Sequence, residues 1–443
     1  MYSEKNFRTR HPEPCEGSTS QRSYVRLLGS FARLRMTAGG VFFVLLVFFV
    51  ALPAFGLAEV QRYDLASESA FTPERGHGFD LGTAPSANGQ PFFFSVAVPE
   101  GTYRVTVTLG DASAASDNTI KAESRQLMLE HVTTRAGESV TRSFLVNVRN
   151  SRLTPPEKNA PGGSGVILNE RETGLLRWDD KLTLEFNGSA PRVTALTIEP
   201  ASTPVVYLAG DSTVTDQGYE PGASWGQMLP RFLPGVAVAN HAESGETLKS
   251  FISGLRLAKL LSQLKAGDWL FIQFGHNDEK KQWPQTYVEA HTTYKAYLKV
   301  FIAEARLRGA TPVLVTSMQR RNFDEHGKIK NTHGDYPLAV REVAAEEKVA
   351  LIDLERMSVA LYEALGPDKA PLAFSAGGKD ATHHDNYGAY ELAKCVVQGI
   401  RDAGLPLTIT DDFKGFDPAH PDAPETFALP ASPQRSEIAP RGN

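Results

Sequence analysis

The sequence predicts two folded parts in series, an antiparallel β-sandwich over residues 59–200 and a three-layer α/β domain over residues 201–412. Three observations indicate this. Apolar and polar residues alternate in the first stretch, and strands alternate with helix-period segments in the second. The chain of 443 residues is also longer than one typical domain of about 100–200 residues.

Composition favours a globular protein and argues against a nucleic-acid partner. The hydrophobic share is 41% and the charged share is 22%, which are ordinary values for folded domains. The formal net charge is -5, and Lys and Arg form no long runs. Because nucleic-acid binding depends on clustered positive charge, we expect no such partner.

The first 58 residues have the order of a leader and signal peptide. An apolar run at 41–52 follows Arg33 and Arg35 and precedes Gly56-Leu57-Ala58, a small-residue cleavage site. We expect cleavage after Ala58 and a secreted or periplasmic protein without stable membrane anchoring. A transmembrane anchor is the alternative, but the apolar run is shorter than the ~20 residues that span a bilayer.

The predicted cleavage would leave one of the two cysteines. Cys15 lies in the segment to be removed, and Cys395 lies near the other end of the chain. An exported protein with one remaining cysteine cannot form an intramolecular disulfide. We therefore expect packing to supply its stability.

The sandwich is predicted because several segments read as strands with one buried face and one solvent-exposed face. Period-two alternation is clear at 103–109, 144–148 and 182–186, and turn signals separate these runs. No convincing amphipathic helix intervenes. The polar positions could bind sugar or could form an ordinary face that supports the next domain, and the pattern favours neither.

The α/β domain is predicted from strands that alternate with helices and so must pair in parallel by crossover connections. The predicted strands are 205–209, 236–240, 269–274, 312–316 and 349–354, with helices at 247–264, 287–308 and 386–403. From residue 413 to 443 the chain is rich in Pro and Ala, which predicts a loose tail.

Ligands bind parallel sheets outside the carboxyl ends of the strands, and Gly210-Asp211-Ser212-Thr213 lies at such an end. A serine on a turn between a strand and a helix can expose its Oγ while its own N–H faces a developing anion. A turn with an N-cap serine is the simpler interpretation of this string alone.

Two further segments supply what an activated serine requires. Asn277, after the strand at 269–274, can donate its side-chain N–H₂ to an oxyanion, and Gly245 permits close approach of a second N–H donor. Asp380 precedes His383 by three residues, a spacing that lets one turn hold the carboxylate against Nδ1–H.

Taken together, these blocks resemble the SGNH or GDSL-type hydrolases, named for a serine, a glycine, an asparagine and a histidine that occur here in that order. The resemblance covers roughly residues 204 to 405 and implies a flavodoxin-like domain that needs no cofactor and no metal. It implies a catalytic triad of Ser212, Asp380 and His383, with Ser212, Gly245 and Asn277 forming the oxyanion hole. Ser, Asp and His also occur in this order in α/β-hydrolases, but the Gly-x-Ser-x-Gly motif is absent around Ser212.

Within that family, the segments at 210–214 and 271–278 look most like bacterial rhamnogalacturonan acetylesterases, and the segment at 71–79 resembles the galactose-binding-like sandwich that precedes the catalytic domain in some members. The implied activity is release of acetyl groups from a pectin polysaccharide. Glu246 departs from the pattern, since many relatives carry a basic residue there, and an acid would not attract a galacturonate carboxylate.

Other interpretations of the same residues remain. His383, His384 and Asp385 could be metal ligands, although neighbouring residues seldom point at one ion. We expect His384 to be a surface residue at a helix start. Another acylated glycan, a lipid, or a non-catalytic carbohydrate-binding role are alternative functions. The sequence does not predict the oligomeric state.

Overall fold

The computed structural model describes residues 59–86, 88–153 and 163–436. The predicted signal peptide with Cys15 and the last seven residues of the predicted tail, 437–443, lie outside these ranges. Within them, no helix combines the length and the apolar character needed to cross a bilayer.

The N-terminal part is built from antiparallel strands in two sheets, which confirms the predicted sandwich. The first sheet has the order β1-β9-β4-β7 and the second has the order β2-β3-β8-β5-β6. The strands of the two sheets are β1 Gln61–Asp64, β2 His77–Asp80, β3 Phe92–Ala97, β4 Gly101–Gly110, β5 Ser116–Ala122, β6 Gln126–Thr134, β7 Ser139–Val148, β8 Lys181–Ala190 and β9 Val193–Pro200.

The sandwich core forms where the alternating apolar residues of both sheets meet. Val105 and Val107 of β4 face inward and are fully buried, while the intervening Thr106 is partly exposed. Phe94 of β3 and Leu184 of β8 fill the same core from the opposite sheet. Burial alternates with period two in β4, as the sequence pattern predicts, whereas β3 and β8 of the second sheet are buried on both faces.

The second part contains a five-stranded parallel sheet of order β11-β10-β12-β13-β14, the order of flavodoxin-like folds. The predicted α/β class is therefore confirmed. Its strands begin and end within three residues of the predicted ones. They are β10 Val205–Gly210, β11 Ala237–Asn240, β12 Trp269–Gln273, β13 Thr311–Val315 and β14 Ala350–Ile352.

Helices cover both faces of this sheet, because one apolar cluster lies on each side of it. This gives the three layers. The α-helices in the described residues are α1 Trp225–Met228, α2 Leu248–Ser253, α3 Arg256–Gln263, α4 Lys295–Leu307, α5 Tyr336–Glu347, α6 Leu354–Lys369 and α7 Asn386–Asp402.

The helix predicted over 247–264 is wrong as one element. Gly254 ends α2, and Leu255 adopts a left-handed conformation with φ 61° before α3 begins. A side chain in that conformation costs about 1 kcal/mol or more, so tertiary contacts hold the break. The second predicted helix, over 287–308, begins later than expected, with a π-helical turn at Ala290–Tyr294 ahead of α4.

The polar face of the second sandwich sheet is buried against the α/β part rather than solvated. Lys121 and Glu185 form an ion pair with an N–O distance of 3.3 Å, and both side chains are almost fully buried. Arg125 donates to the carbonyls of Gln217 (3.0 Å) and Gly222 (2.9 Å) across the interface. This face therefore supports the second part of the chain.

The Pro-rich tail is not loose over its described residues, 413–436. The Asn187 amide donates to the carbonyl of Ala431 at 2.9 Å, and the Ser432 hydroxyl donates to Glu185 at 2.7 Å. Tyr387 of α7 donates to the carbonyl of Asp422 at 2.7 Å. Because proline-rich segments lack regular ladders, side chains of both parts bind its backbone instead.

Candidate active site

Ser212 lies two residues beyond the end of β10, on a tight turn. Asp211 shapes this turn, since its Oδ1 accepts hydrogen bonds from the backbone N–H (2.9 Å) and the hydroxyl (2.8 Å) of Thr213. Gly210 has no room for a side chain, because an added Cβ would lie 2.6 Å from Val214 and 2.9 Å from the carbonyl of Gln273. The segment at residues 210–213 is thus a closely packed turn.

The structure brings Ser212, His383 and Asp380 together in one hydrogen-bonded chain. The Ser212 hydroxyl is 2.9 Å from Nε2 of His383, and Nδ1 of His383 is 2.8 Å from Oδ2 of Asp380. All three residues are buried, with 2%, 1% and 7% of their surfaces exposed. This arrangement lets the imidazole accept the serine proton while the carboxylate holds the tautomer.

Asp380 is fixed by its own backbone neighbours. Its Oδ1 accepts the N–H groups of Thr382 (2.7 Å) and His383 (2.9 Å). Burial alone would raise the pKa of Asp380, but the hydrogen bond and charge of His383 with these N–H groups outweigh it and hold the pKa well below its usual range. Asp380 is therefore a stable anion opposite Nδ1.

Arg321 holds the loop that carries Asp380, a contact the sequence did not reveal. Its backbone N–H donates to the carbonyl of Ala381 at 2.8 Å, and its Nη2 donates to Gly378 at 2.6 Å and to the Asp380 carbonyl at 3.3 Å. The guanidinium also lies over the Phe374 ring. These contacts position the acid and base relative to the serine turn.

The two other predicted oxyanion donors lie in adjoining loops. The Asn277 amide donates to the carbonyl of Glu246 at 3.1 Å, which ties it to the loop that contains Gly245. Gly245 has φ 84°, a conformation that suits glycine. Glu243 of the same loop donates its N–H to the carbonyl of Gly210 at 3.2 Å, so the loop is anchored two residues from Ser212.

A buried polar network lies behind Asn277. Nδ1 of His276 is 3.4 Å from Oδ2 of Asp211, and the His276 ring contacts the ring of His333 edge to face. Burial lowers the pKa of His276 to about 4, although the charge of Asp211 opposes this. His276 is therefore a neutral residue that packs between Asp211 and His333.

His384 is buried, so its prediction as a surface residue is wrong. Its Nε2 is 2.7 Å from the hydroxyl of Tyr362, and its ring lies against Phe374. Asp385 points elsewhere and caps α7 through Gly388 N–H at 3.0 Å. His383, His384 and Asp385 thus diverge, and among the described residues no group of three His, Cys, Asp or Glu side chains is arranged to hold a metal.

The carboxylate of Glu246, which departs from the family pattern, is bound by side chains of the protein itself. Its carboxylate accepts a hydrogen bond from Nε of Arg256 at 3.0 Å and from the Ser250 hydroxyl at 2.6 Å, and 9% of the residue is exposed. Burial raises the pKa of Glu246, and Arg256 counteracts this. The acid is a structural partner of α3, and its charge is largely compensated.

Arg256 also binds a segment from the N-terminal part of the chain. Its Nη1 donates to Oε1 of Glu172 at 3.0 Å, and Trp178 donates to the same oxygen at 2.9 Å. Burial alone would raise the pKa of Glu172, but Arg256 outweighs it and lowers the pKa to about 2. Residues 163–180, between β7 and β8, thereby reach the loop of Gly245.

A buried serine that is hydrogen-bonded to a histidine and an aspartate, with an asparagine amide in an adjoining loop at the mouth of a flavodoxin-like sheet, is an arrangement typical of one class of ester hydrolases. Comparison with known families agrees, since residues 208–389 match the model of the GDSL-like lipase/acylhydrolase family. The chain belongs to this family and is a carboxylic ester hydrolase.

Two relatives come from Bacillus subtilis. A probable rhamnogalacturonan acetylesterase of Bacillus subtilis (strain 168) is 44% identical over 207 residues, which cover 46% of this chain and 95% of that relative. A rhamnogalacturonan acetylesterase of the same organism is 43% identical over 216 residues, with 46% and 91% covered. A crystal structure of a Bacillus subtilis protein is similar over 79% of this chain and 99% of that one, with 24% identity and a TM-score of 0.46.

Proposed function

We propose that this protein is a secreted serine carbohydrate esterase that removes O-acetyl groups from the rhamnogalacturonan backbone of pectin. The main support for a serine esterase mechanism is the chain of hydrogen bonds from Ser212 through His383 to Asp380. The substrate is supported by two relatives named as rhamnogalacturonan acetylesterases, each aligned over more than nine tenths of its length. Export is supported by the apolar run and small-residue site before residue 59.

The reaction follows from the roles of the assembled groups. Nε2 of His383 takes the proton of Ser212 as Oγ attacks the acetyl carbonyl, and the carbonyl oxygen becomes an anion. The N–H groups of Ser212 and Gly245 and the amide of Asn277 stabilise that anion. The C–O bond to the sugar then breaks, and His383 returns the proton to the leaving sugar oxygen. Water, activated by His383, next cleaves the acetyl–serine ester and releases acetate.

The test is acetate release from a pair of polymers, acetylated rhamnogalacturonan and acetylated xylan. We expect faster release from rhamnogalacturonan, without any fall in polymer length, because the triad acts on esters and leaves glycosidic bonds intact. Ser212→Ala gives the background rate, and Ser139→Ala, on an exposed strand of the sandwich, is the matched control with full activity.

Different outcomes contradict different parts of the proposal. A preference for xylan, or activity confined to long-chain acyl esters, would overturn the substrate while leaving the serine mechanism intact. Turnover by Ser212→Ala near that of Ser139→Ala would overturn the nucleophile assignment.

A further inference from the structure

A cleft of about 550 Å³ lies beside the catalytic serine, between residues 163–180 and the α/β domain. Two of its lining residues are direct neighbours of the proposed catalytic residues. Gln217 lines the cleft and donates from its side chain to the Ser212 carbonyl at 2.8 Å. Ser244, which also lines it, immediately precedes Gly245 of the proposed oxyanion hole. The cleft therefore adjoins both the Ser212 turn and the loop of Gly245.

Arg171 is the cation that this cleft presents to solvent. Its side chain is 37% exposed, and it enters from the segment between β7 and β8. Its Nε donates to Oε1 of Glu243 at 2.8 Å, and its Nη2 donates to the carbonyl of Ser244. These bonds fix the guanidinium plane over the Gly245 loop, and Nη1 is engaged by none of the described residues.

The buried acids near Arg171 already have other partners. Glu243 is buried and is also paired with buried Arg177. Asp216 is buried, and its carboxylate accepts hydrogen bonds from Asn240 at 2.7 Å and Gln126 at 2.8 Å. Glu170 is the exposed acid of the rim, where water and salt screen its charge. The guanidinium of Arg171 is thus available to an incoming anion.

The cleft also offers an apolar surface. Tyr219 is 47% exposed, and Leu175 lines the cleft with it. Leu175 also fills the space above Gly218, where an added Cβ would lie 2.6 Å from its Cδ2. An aromatic face next to a few polar groups is typical of sites that hold a ring-shaped ligand.

We propose that this cleft is a subsite for a uronate unit of the polysaccharide, with Arg171 binding the sugar carboxylate and Tyr219 contacting the sugar ring. This inference rests on the proposed function and names the residues that select an acidic chain. Arg171 lies outside residues 208–389, the range matched by the family model. Many relatives carry a basic residue at the position of Glu246. In this chain, Arg171 of the N-terminal part would supply the positive charge instead.

The first experiment measures binding without hydrolysis. Oligomers of polygalacturonate, which carry carboxylates and no acetyl groups, are titrated into wild type, Arg171→Gln and Arg142→Gln. Arg142 is an exposed arginine on β7, so its variant is the control for the same change of charge. We expect Arg171→Gln to weaken binding by about 10-fold to 100-fold, the usual range for one charge-assisted contact, and Arg142→Gln to bind like wild type.

Two further measurements separate substrate binding from support of the loop. Arg171→Gln should lower the ratio of kcat/KM for acetylated rhamnogalacturonan to kcat/KM for an aryl acetate, mainly through a higher KM for the polymer. Arg171→Lys should recover part of this ratio, since it keeps the charge. If Arg171→Gln fails to fold, Tyr219→Ala and the salt dependence of wild-type binding provide the same test, because binding through a carboxylate weakens with salt.

Equal losses on polymer and aryl acetate would show that Arg171 only supports the loop and would overturn the inference. Binding of polygalacturonate that is insensitive to Arg171→Gln, Tyr219→Ala and salt would also overturn it. If wild type binds polygalacturonate through Arg171 yet releases no acetate from rhamnogalacturonan, the proposed function fails and the subsite stands. The two claims are therefore tested separately.

Discussion

At the scale of single residues, Asp380 carries out two tasks with its two oxygens. Oδ1 accepts two backbone N–H groups and so shapes the turn, while Oδ2 receives Nδ1 of His383. The same carboxylate therefore sets both the position and the tautomer of the base. This explains why a spacing of three residues suffices for the pair.

We predict that Asp380→Asn lowers kcat by up to about 10⁴-fold, because an amide can present its N–H₂ to Nδ1 and favour the wrong tautomer. The Asn side chain still has an oxygen for the backbone N–H groups, so the fold should persist. Steady-state kinetics on an aryl acetate and a circular dichroism melt are the measurements. A kcat within a few fold of wild type would argue that a backbone carbonyl orients His383 instead.

Asn277 provides a second prediction at this scale. Asn277→Ala should reduce kcat by roughly 10²-fold to 10³-fold, with a smaller effect on KM, because an oxyanion donor acts mainly in the transition state. The variant also loses the bond to the carbonyl of Glu246, so its stability is measured in parallel. A change confined to KM would make Asn277 a ground-state contact.

The sequence could indicate that Ser212, His383 and Asp380 lie close together because the signals are local, with Asp380 and His383 in one turn and Ser212 at a strand end. Arg171, Arg256 and Arg321 had no such signal. Arg171 reaches Glu243 across 72 positions of sequence, and Arg256 reaches Glu172 across 84. An isolated arginine carries no pattern that predicts such a partner, so only the fold reveals these residues.

At the scale of elements, the loop of Gly245 is held between α3 and the segment before β8. Arg256 of α3 binds Glu246 on one side and Glu172 on the other, and the Glu246 carbonyl accepts the Asn277 amide. Arg256 is fully buried, and both acids are largely shielded from water. The orientation of the oxyanion loop thus depends on an ion cluster formed by two distant elements.

We predict that Glu246→Arg destabilises the protein by about 1–3 kcal/mol, because it places a second guanidinium beside Arg256 in a buried site. We do not expect it to raise activity on a galacturonate polymer. Glu246→Gln is the control, since it keeps hydrogen-bond acceptor capacity without the repulsion. Urea unfolding and acetate release are the measurements, and higher activity at unchanged stability would contradict the assignment.

The ends of the strands in the parallel sheet could be predicted from the sequence, whereas the break in the helix predicted over 247–264 could not. The five strands of the parallel sheet are short apolar runs with clear ends, so the sequence located them within a few residues. The helical period over 247–264 continues through Gly254 and Leu255, and periodicity alone does not reveal a break. The break arises where α3 must turn so that Arg256 reaches Glu172, which is a tertiary requirement.

At the scale of the whole molecule, the two parts of the chain share one buried polar boundary. Lys121 and Arg125 of the sandwich pair with Glu185 and with Glu220 of the α/β part, and the tail binds residues of both. The sequence left open whether the polar sandwich face binds sugar. Tail and α/β residues cover that face, which leaves the cleft lined by residues 163–180 as the place for the proposed uronate subsite.

The buried histidines connect this whole-molecule packing to pH. Burial lowers the pKa of His276 to about 4 and that of His384 to about 3, from 6.5. In the unfolded chain both titrate near 6.5, so the unfolded state binds more protons below that pH. Each histidine then lowers the free energy of unfolding as pH falls, by up to about 1.4 kcal/mol per pH unit. Asp179 and Asp385 act in the opposite sense, because burial raises the pKa of each to about 6.

The contribution of His384 can be isolated by comparing the wild type with His384→Gln. Glutamine keeps an acceptor for the Tyr362 hydroxyl but cannot take up a proton, and the carboxyl groups are common to both proteins. From pH 6.5 towards pH 4, the free energy of unfolding should fall more steeply for the wild type than for the variant. The two slopes against pH should differ by about 1.4 kcal/mol per pH unit, which corresponds to one proton. Urea unfolding at several pH values in this range measures it. Equal slopes would mean that His384 titrates alike in the folded and unfolded states, which its burial beside Phe374 and its bond to Tyr362 argue against.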